Sequence, residues 1–402
     1  MSDNKKLDDW KIPLYKIYTD DEDVDVITKI IKRGSRWAIG PEIEEFESAL
    51  KKFIGVDYCL TLNSGTSALD AALLAYDINQ KHDVIVPSFT FVATVNSVMN
   101  VNANPLFVDI EESTLGLDPE LLSKHITEKT KAVIPVDYAG LSCKIFDILE
   151  IAKANHMLVI EDAAEALGSK INDKQVGSQA DIAIFSFCGN KVLTTGEGGA
   201  IATNDKTVFE KIKLIRSHGR IDKTNYFETT SGSEYVGTGH NWRMSTITAV
   251  LGLSQLGKLE QLIKKRRDNA EYISSRLSKF SQIITPNEPS GYEHIFQMYT
   301  VRLPNKQIRD SLHDFLIKKR IFSKVYFEPI HQMSLYRKKN SEILPITEKI
   351  SEQVLTLPMY PNMEKDEKDY LIDSISEFFE TLWKKERLLL LLEPGRNMEF
   401  YA

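Results

Sequence analysis

Ser186-Phe187-Cys188-Gly189-Asn190-Lys191 follows an apolar run, Ile182-Ala183-Ile184-Phe185, and leads into Thr194-Thr195-Gly196-Glu197-Gly198-Gly199. Upstream, a second apolar run, Leu158-Val159-Ile160, ends in Glu161-Asp162-Ala163-Ala164-Glu165. A lysine just past a buried strand, a serine five residues before it and an acid at the end of an earlier strand are the parts that pyridoxal phosphate chemistry requires. The amine forms a Schiff base, the carboxylate keeps a pyridine nitrogen protonated, and the hydroxyl takes a phosphate oxygen. None of the three carries the reading alone; their order and spacing do.

Working outward, Val84-Ile85-Val86, Leu106-Phe107-Val108, Ala132-Val133-Ile134 and Ala200-Ile201-Ala202 read as further buried strands, with room for helical crossovers between them. That pattern predicts an α/β fold with a mostly parallel sheet sandwiched by helices. In such folds ligands gather at the carboxyl ends of strands, where Asp109, Asp137, Asp162 and Ser186 all fall. Ile43, Phe46, Leu50 and Phe53 recur at helical spacing. Ser245 to Phe280 reads as one or two long helices bridging to a smaller C-terminal α+β domain. In that domain Met298 to Leu303 and Ser323 to Phe327 read as strands and Ile308 to Lys319 as a helix, and Leu371 to Leu382 closes it. The expected division is an arm over residues 1–20, a large domain over 21–255, the bridging helix and small domain over 256–385, and a tail over 386–402.

The 402 residues are 42% apolar, ample for two cores, and their net charge of −7 gives no general attraction to nucleic acid or to anionic membranes. A nucleotide diphosphate would have to be met by a local basic pocket. Cys59, Cys143 and Cys188 make no zinc spacing or disulfide framework, which favours a reducing cytoplasm. The N-terminus lacks an apolar signal core, and no run approaches the length of a membrane span. The five leucines Leu388 to Leu392 are too short to span. They would extend the last helix, dock on a neighbouring subunit, or be foreign to the fold.

Asn63-Ser64-Gly65-Thr66-Ser67 precedes the strong helix former Ala68-Leu69-Asp70-Ala71-Ala72-Leu73-Leu74. Alone it reads as an ordinary helix cap; joined to Lys191 it reads as a phosphate cradle built on free N–H groups. Asp162 emerges from a buried strand, where a carboxylate is costly without a partner, and a pyridinium N–H would serve. Glu165 taken alone is a solvated acid at a helix start. Glu161, Asp162 and Glu165 lack a nearby histidine or further acid, so no metal is expected.

In order, Asn63 to Leu69, Pro87-Ser88-Phe89-Thr90-Phe91-Val92-Ala93, Glu161 to Glu165, Ser186 to Gly199 and His240-Asn241-Trp242-Arg243-Met244 resemble the DegT-type nucleotide-sugar aminotransferases. The resemblance runs over roughly residues 12 to 382 and implies a fold-type I pyridoxal phosphate enzyme. The Cys188-Gly189-Asn190-Lys191 and Glu161 to Glu165 stretches look most like the perosamine-forming, GDP-sugar branch. Val136-Asp137-Tyr138-Ala139-Gly140 and Arg216-Ser217-His218-Gly219 look like the branch that aminates UDP-linked 4-keto hexosamines.

The family pattern implies that Lys191 is the Schiff-base and proton-transfer residue, with Gly65, Thr66, Ser67 and Ser186 at the cofactor phosphate. It puts Phe91 against the ring, Asp162 at its nitrogen, and Glu165 near its phenolic oxygen and the sugar. Asn241 is expected at the phosphate of the neighbouring subunit's cofactor, so the sites of a homodimer would be shared. His218, Arg243, Tyr326 and His331 are implied at the substrate; each read alone is more often structural. The expected reaction moves the amino group of L-glutamate to the C4 keto group of a nucleotide-linked 4-keto-6-deoxy sugar for surface polysaccharide. Two rivals exist. A sugar dehydratase on the same fold would replace Lys191 by histidine, and a silent regulatory protein would have no reason to keep Asp162, Ser186 and Lys191 together.

Overall fold

Seven strands form the central sheet of the computed structural model, which describes residues 9–221, 229–230, 232–337 and 343–392. Their order across the sheet is Tyr58–Leu62, Gly199–Thr203, Ile182–Ser186, Leu158–Asp162, Thr130–Val133, Asp83–Pro87, Asn104–Val108. Six run one way and Gly199–Thr203 runs against both neighbours. The reversal follows from the connection: residues 187–198 hold no helix, and a parallel return would need a longer crossover. The strand Tyr58–Leu62 is absent from the sequence reading, because Thr61 interrupts its short apolar run. It holds the sheet edge by pairing with Gly199–Thr203.

Helices cover both faces. Gly65–Ala75 lays Ala68, Leu69, Ala72 and Leu73 on Ile160, Ile182, Ile184 and Ile201, all fully buried or nearly so. Burying each of the larger side chains stabilises by about 1.5–3 kcal/mol. On the opposite face Pro41–Ile54 buries Phe46 and Leu50 against Phe185 and Phe187. The bridge is a single helix, Thr246–Leu277, capped by Ser245, whose hydroxyl accepts from the Thr248 N–H. At 32 residues it is about 48 Å long. Leu259 and Leu262 pack into the large core, and Ala270, Ile273 and Leu277 into the second.

That second core surrounds the antiparallel pair Tyr299–Arg302 and Val354–Leu357, under the helices Lys306–Lys318 and Lys365–Leu392. The arm joins it: Ile12 is fully buried there, Lys11 donates to the Arg320 carbonyl, and Phe322 donates to that of Ile12. Ser323 to Phe327 is not a strand. Only Lys324 bridges to Thr356, after which the chain turns away and the Tyr326 carbonyl accepts from the Tyr138 hydroxyl at 2.6 Å. Leu388 to Leu392 extends the last helix, and residues 393–402 of the tail and 1–8 of the arm lie outside the described residues. No helix among the described residues is long and apolar enough to cross a membrane.

Candidate functional site

Lys191 lies in a closed loop after the strand Ile182–Ser186. Phe187 donates to the Gly198 carbonyl, Thr195 donates back to Phe187, and Lys191 N donates to Cys188 O at 2.9 Å. Phe187 is buried and packs on Phe46 with ring centroids 5.6 Å apart, so the loop has a fixed root. The lysine side chain is mostly buried, and its Nζ stands 3.3 Å from Glu165 Oε1. The other oxygen, Oε2, accepts from the Ala139 N–H at 2.9 Å. Glu165 is therefore held between the lysine and the Tyr138-Ala139-Gly140 turn, not solvated at a helix start.

Asp162 ends its strand 5% exposed. Thr94 donates to its Oδ2 at 2.8 Å, and the Ala164 N–H reaches Oδ1 at 3.3 Å. Burial raises its pKa, opposed by the Thr94 hydrogen bond, the Ala164 N–H and the charge of Lys191. A cationic N–H donor facing this carboxylate would relieve that burial.

The Gly65–Ala75 helix points its N-terminus at the same strand ends. Ser64 caps it by accepting from Ser67 N, while Gly65 and Thr66, in the first turn, have no helical acceptor for their N–H groups. A Cβ on Gly65 would lie 3.0 Å from Ser186 Cβ, and one on Gly199 would lie 2.5 Å from the Ser64 carbonyl oxygen. The absence of side chains at both positions thus brings cap, helix start and Ser186 together, an arrangement that could cradle an anion. Ser67 departs from its expected role: its hydroxyl turns inward to Asn63 Oδ1 at 2.7 Å and Ser64 O at 2.9 Å. Thr66, in the same first turn, is exposed.

Phe91 caps the helix Val92–Asn100 and is 58% exposed, with Phe327 beside it at 6.3 Å. An exposed flat ring beside Asp162's partner helix offers a stacking face. The other strand-end acids do not converge here. Asp109 caps the helix Pro345–Gln353, accepting from Ile346, Thr347 N and the Thr347 hydroxyl. Glu161 points to the opposite face from Asp162 by strand alternation and accepts from Gly177, beside buried Asp137. No metal-like cluster of three ligands forms among the described residues.

The weaker substrate candidates scatter. His331 is buried, with Nδ1 2.7 Å from Ser88 Oγ and Nε2 3.2 Å from Glu348 Oε1, so neither ring nitrogen is free for a substrate. Tyr326 is half-buried on the segment that Tyr138 fixes. His218 is exposed, and its backbone N donates to His240 O. Arg243 donates to Ser217 Oγ and lines a cavity of about 720 Å³ with Arg36, Glu47, Tyr58 and Arg216; none of Lys191, Asp162 or Ser186 borders it. Asn241 is exposed beside Asn63, whose Nδ2 lies 3.5 Å from the Asn241 carbonyl. Sequence reasoning missed Thr94 and Ala139, since neither residue type carries a chemical signal apart from its neighbours.

Residues 18–376 match the DegT/DnrJ/EryC1/StrS aminotransferase family. The chain belongs to that family. It is 33% identical to the GDP-perosamine synthase of Escherichia coli O157:H7 over 92% of this chain and 98% of the relative. The GDP-perosamine synthase of Caulobacter vibrioides is 36% identical, covering 85% and 91%. Among solved structures, Helicobacter pylori PseC, an aminotransferase involved in the biosynthesis of pseudoaminic acid, is 30% identical with a TM-score of 0.86, covering 92% and 99%. The chain is a pyridoxal phosphate-dependent sugar aminotransferase of fold type I, as its motifs implied. The cradle at Gly65 and Ser186, the ring face of Phe91, the buried Asp162 and the reach of Lys191 fit that cofactor.

Proposed function

We propose that the enzyme moves the amino group of L-glutamate to the C4 keto group of a GDP- or UDP-linked 4-keto-6-deoxy sugar, in the cytoplasm, toward surface polysaccharide. The observation that carries the reading is the convergence of Lys191, Glu165, Asp162, Ser186 and the open helix start at Gly65 on one end of the sheet. The GDP-perosamine synthases among the relatives support a GDP-linked sugar, and likeness to PseC supports a related amino sugar. Three unpaired cysteines suit a reducing compartment.

Bound at this site, pyridoxal phosphate supplies an electron sink for the carbon that loses or gains a proton. Gly65 N, Thr66 N and the Ser186 hydroxyl would hold its phosphate, Phe91 its ring and Asp162 its nitrogen. Lys191 Nζ anchors by its amine and, once displaced by the amine of glutamate, carries the proton. Glu165 keeps that nitrogen in place from the Ala139 side and is the nearest described acceptor for its proton. Asn241, exposed on the chain surface, would reach the phosphate site of a second copy, making a homodimer with shared sites.

The test loads the protein with pyridoxamine phosphate and offers GDP-, UDP- and dTDP-linked 4-keto sugars in turn. Return of the visible band of the lysine adduct with a GDP- or UDP-sugar is the expected outcome. Borohydride reduction and peptide mapping should find that adduct on Lys191, and Lys191→Ala should abolish it. An adduct on another lysine, or no response to any of these sugars, would overturn the proposal.

A further inference from the structure

Lys191 and Glu165 are joined a second time, through the segment Ile295 to Met298. On one side, Ile295 N donates to Gly140 O at 3.0 Å and Met298 N donates to Ala139 O at 3.1 Å. These bonds fix the turn whose Ala139 N–H holds Glu165. Gly140 has φ +96°, and a Cβ there would come 2.9 Å from Gln297 N, so turn and segment touch backbone to backbone. On the other side, the Gln297 side chain donates from Nε2 to the Asn190 carbonyl at 2.8 Å, one residue from Lys191. Gln297 is 5% exposed.

The segment is itself fixed from the bridging helix. Arg266, 2% exposed, donates to the carbonyls of Phe296, Gln297 and Met359 at 3.1, 3.3 and 3.2 Å. A buried guanidinium that binds three main-chain oxygens makes a rigid junction, because each lost bond would leave a buried polar group unmet. The loop from Lys191 through Glu165, Ala139, Met298, Gln297 and Asn190 back to Lys191 is therefore closed. Its anchor lies in the helix that spans both cores.

We infer that Gln297 is a positioning residue: its amide N–H on the Asn190 carbonyl sets where the Lys191 amine stands. The inference rests on the proposed role of Lys191 as the cofactor-bearing lysine. Gln297 touches neither the lysine amine nor Glu165 in the described contacts, so its action is exerted through the backbone of the loop. Removing the N–H leaves the cradle at Gly65 and Ser186 intact and loosens only the lysine. Rate of attachment and strength of non-covalent binding should then separate.

Gln297→Met keeps the volume and removes the donor; Gln297→His returns a ring N–H at similar reach. Cofactor-free protein is mixed with pyridoxal phosphate, quenched with borohydride at intervals, and the adduct on Lys191 is counted by peptide mass. Affinity for pyridoxamine phosphate, which cannot bond to the lysine, is titrated in parallel. Attachment in Gln297→Met should slow about tenfold, the weight of one hydrogen bond, while pyridoxamine phosphate affinity stays within about twofold. Gln297→His should recover most of the rate. An unchanged rate in Gln297→Met, an equal loss of pyridoxamine phosphate affinity, or equal slowing in both variants would overturn the inference while leaving the functional reading intact. Failure of the wild-type protein to form any adduct on Lys191 would overturn both.

Discussion

Gly65 stands against Ser186 with no room between them: a Cβ on the glycine would meet Ser186 Cβ at 3.0 Å and its Oγ at 3.4 Å. The start of one helix and the end of one strand thus meet directly, as the proposed phosphate site requires, and the missing side chain is what lets them meet. Gly65→Ala should displace Ser186 by a few tenths of an ångström without unfolding the chain, since alanine favours the helix. Affinity for pyridoxamine phosphate should fall about tenfold, comparable to one lost hydrogen bond to a charged group. Affinity within twofold of wild type would show that the phosphate sits elsewhere.

Asp162 is kept in place by Thr94, whose hydroxyl also lies 2.9 Å from that of Thr90. Asp162→Asn cannot hold a pyridine nitrogen protonated and should cost activity on the order of a hundredfold or more. Thr94→Val leaves the charge but removes its orienting donor, and a loss of about tenfold is expected. Steady-state rates for both variants, with melting curves to exclude unfolding, make the check. Wild-type activity in Asp162→Asn would reduce that carboxylate to a structural role.

The sheet was readable because its strands are short, β-branched and buried on both faces, and the lysine loop because its glycines and serine are chemically marked. Tyr58–Leu62 escaped since Thr61 breaks its apolar run, although Thr61 is itself buried and bonded to Glu47. Ser323 to Phe327 has the composition of a strand, yet tertiary contacts with Tyr138 override that propensity. His331 is a pocket residue by resemblance, whereas Ser88 and Glu348 make it a pin between the end of the strand Asp83–Pro87 and the helix Pro345–Gln353. Which polar side chain faces inward depends on partners on other elements, up to 243 residues away for His331 and Ser88, and local pattern does not carry that information.

Asp137 and Glu161 form a buried carboxyl pair on the far side of the strand from the cofactor site. Asp137 Oδ1 accepts from Cys143 N and Glu161 Oε2 from Gly177 N, while their other oxygens meet no further donor. Burial pushes both carboxyls up, Asp137 to about 7 and Glu161 well above its usual range; Asp137 raises Glu161 further, while the hydrogen bond from Glu161 partly offsets the rise at Asp137. From the unfolded values of 3.8 and 4.5 upward, the native state keeps protons that the unfolded chain has lost. Stability contributed by the pair therefore falls as pH rises through neutrality, by at most about 1.4 kcal/mol per pH unit for each proton involved. Glu161→Gln still accepts from Gly177 and can donate to Asp137, so it should flatten the dependence and gain stability at alkaline pH relative to wild type. Urea titrations of both proteins across about pH 5 to 9 test this; parallel curves would mean that the pair does not share a proton.

A homodimer whose sites combine Lys191 of one copy with Asn241 of the other makes a sharper demand. Asn241→Asp would set a carboxylate against the cofactor phosphate, and that like-charge contact should abolish binding. Lys191→Ala should abolish catalysis by removing the amine. When the two inactive proteins exchange subunits, each mixed dimer carries both lesions in one site and neither in the other. With random equal exchange about half of the dimers are mixed, so about a quarter of all sites should recover activity. Exchange is followed independently with a mass label on one variant. If labelled mixed dimers form and activity stays at the level of the single variants, each site is complete within one chain and Asn241 belongs to the surface alone.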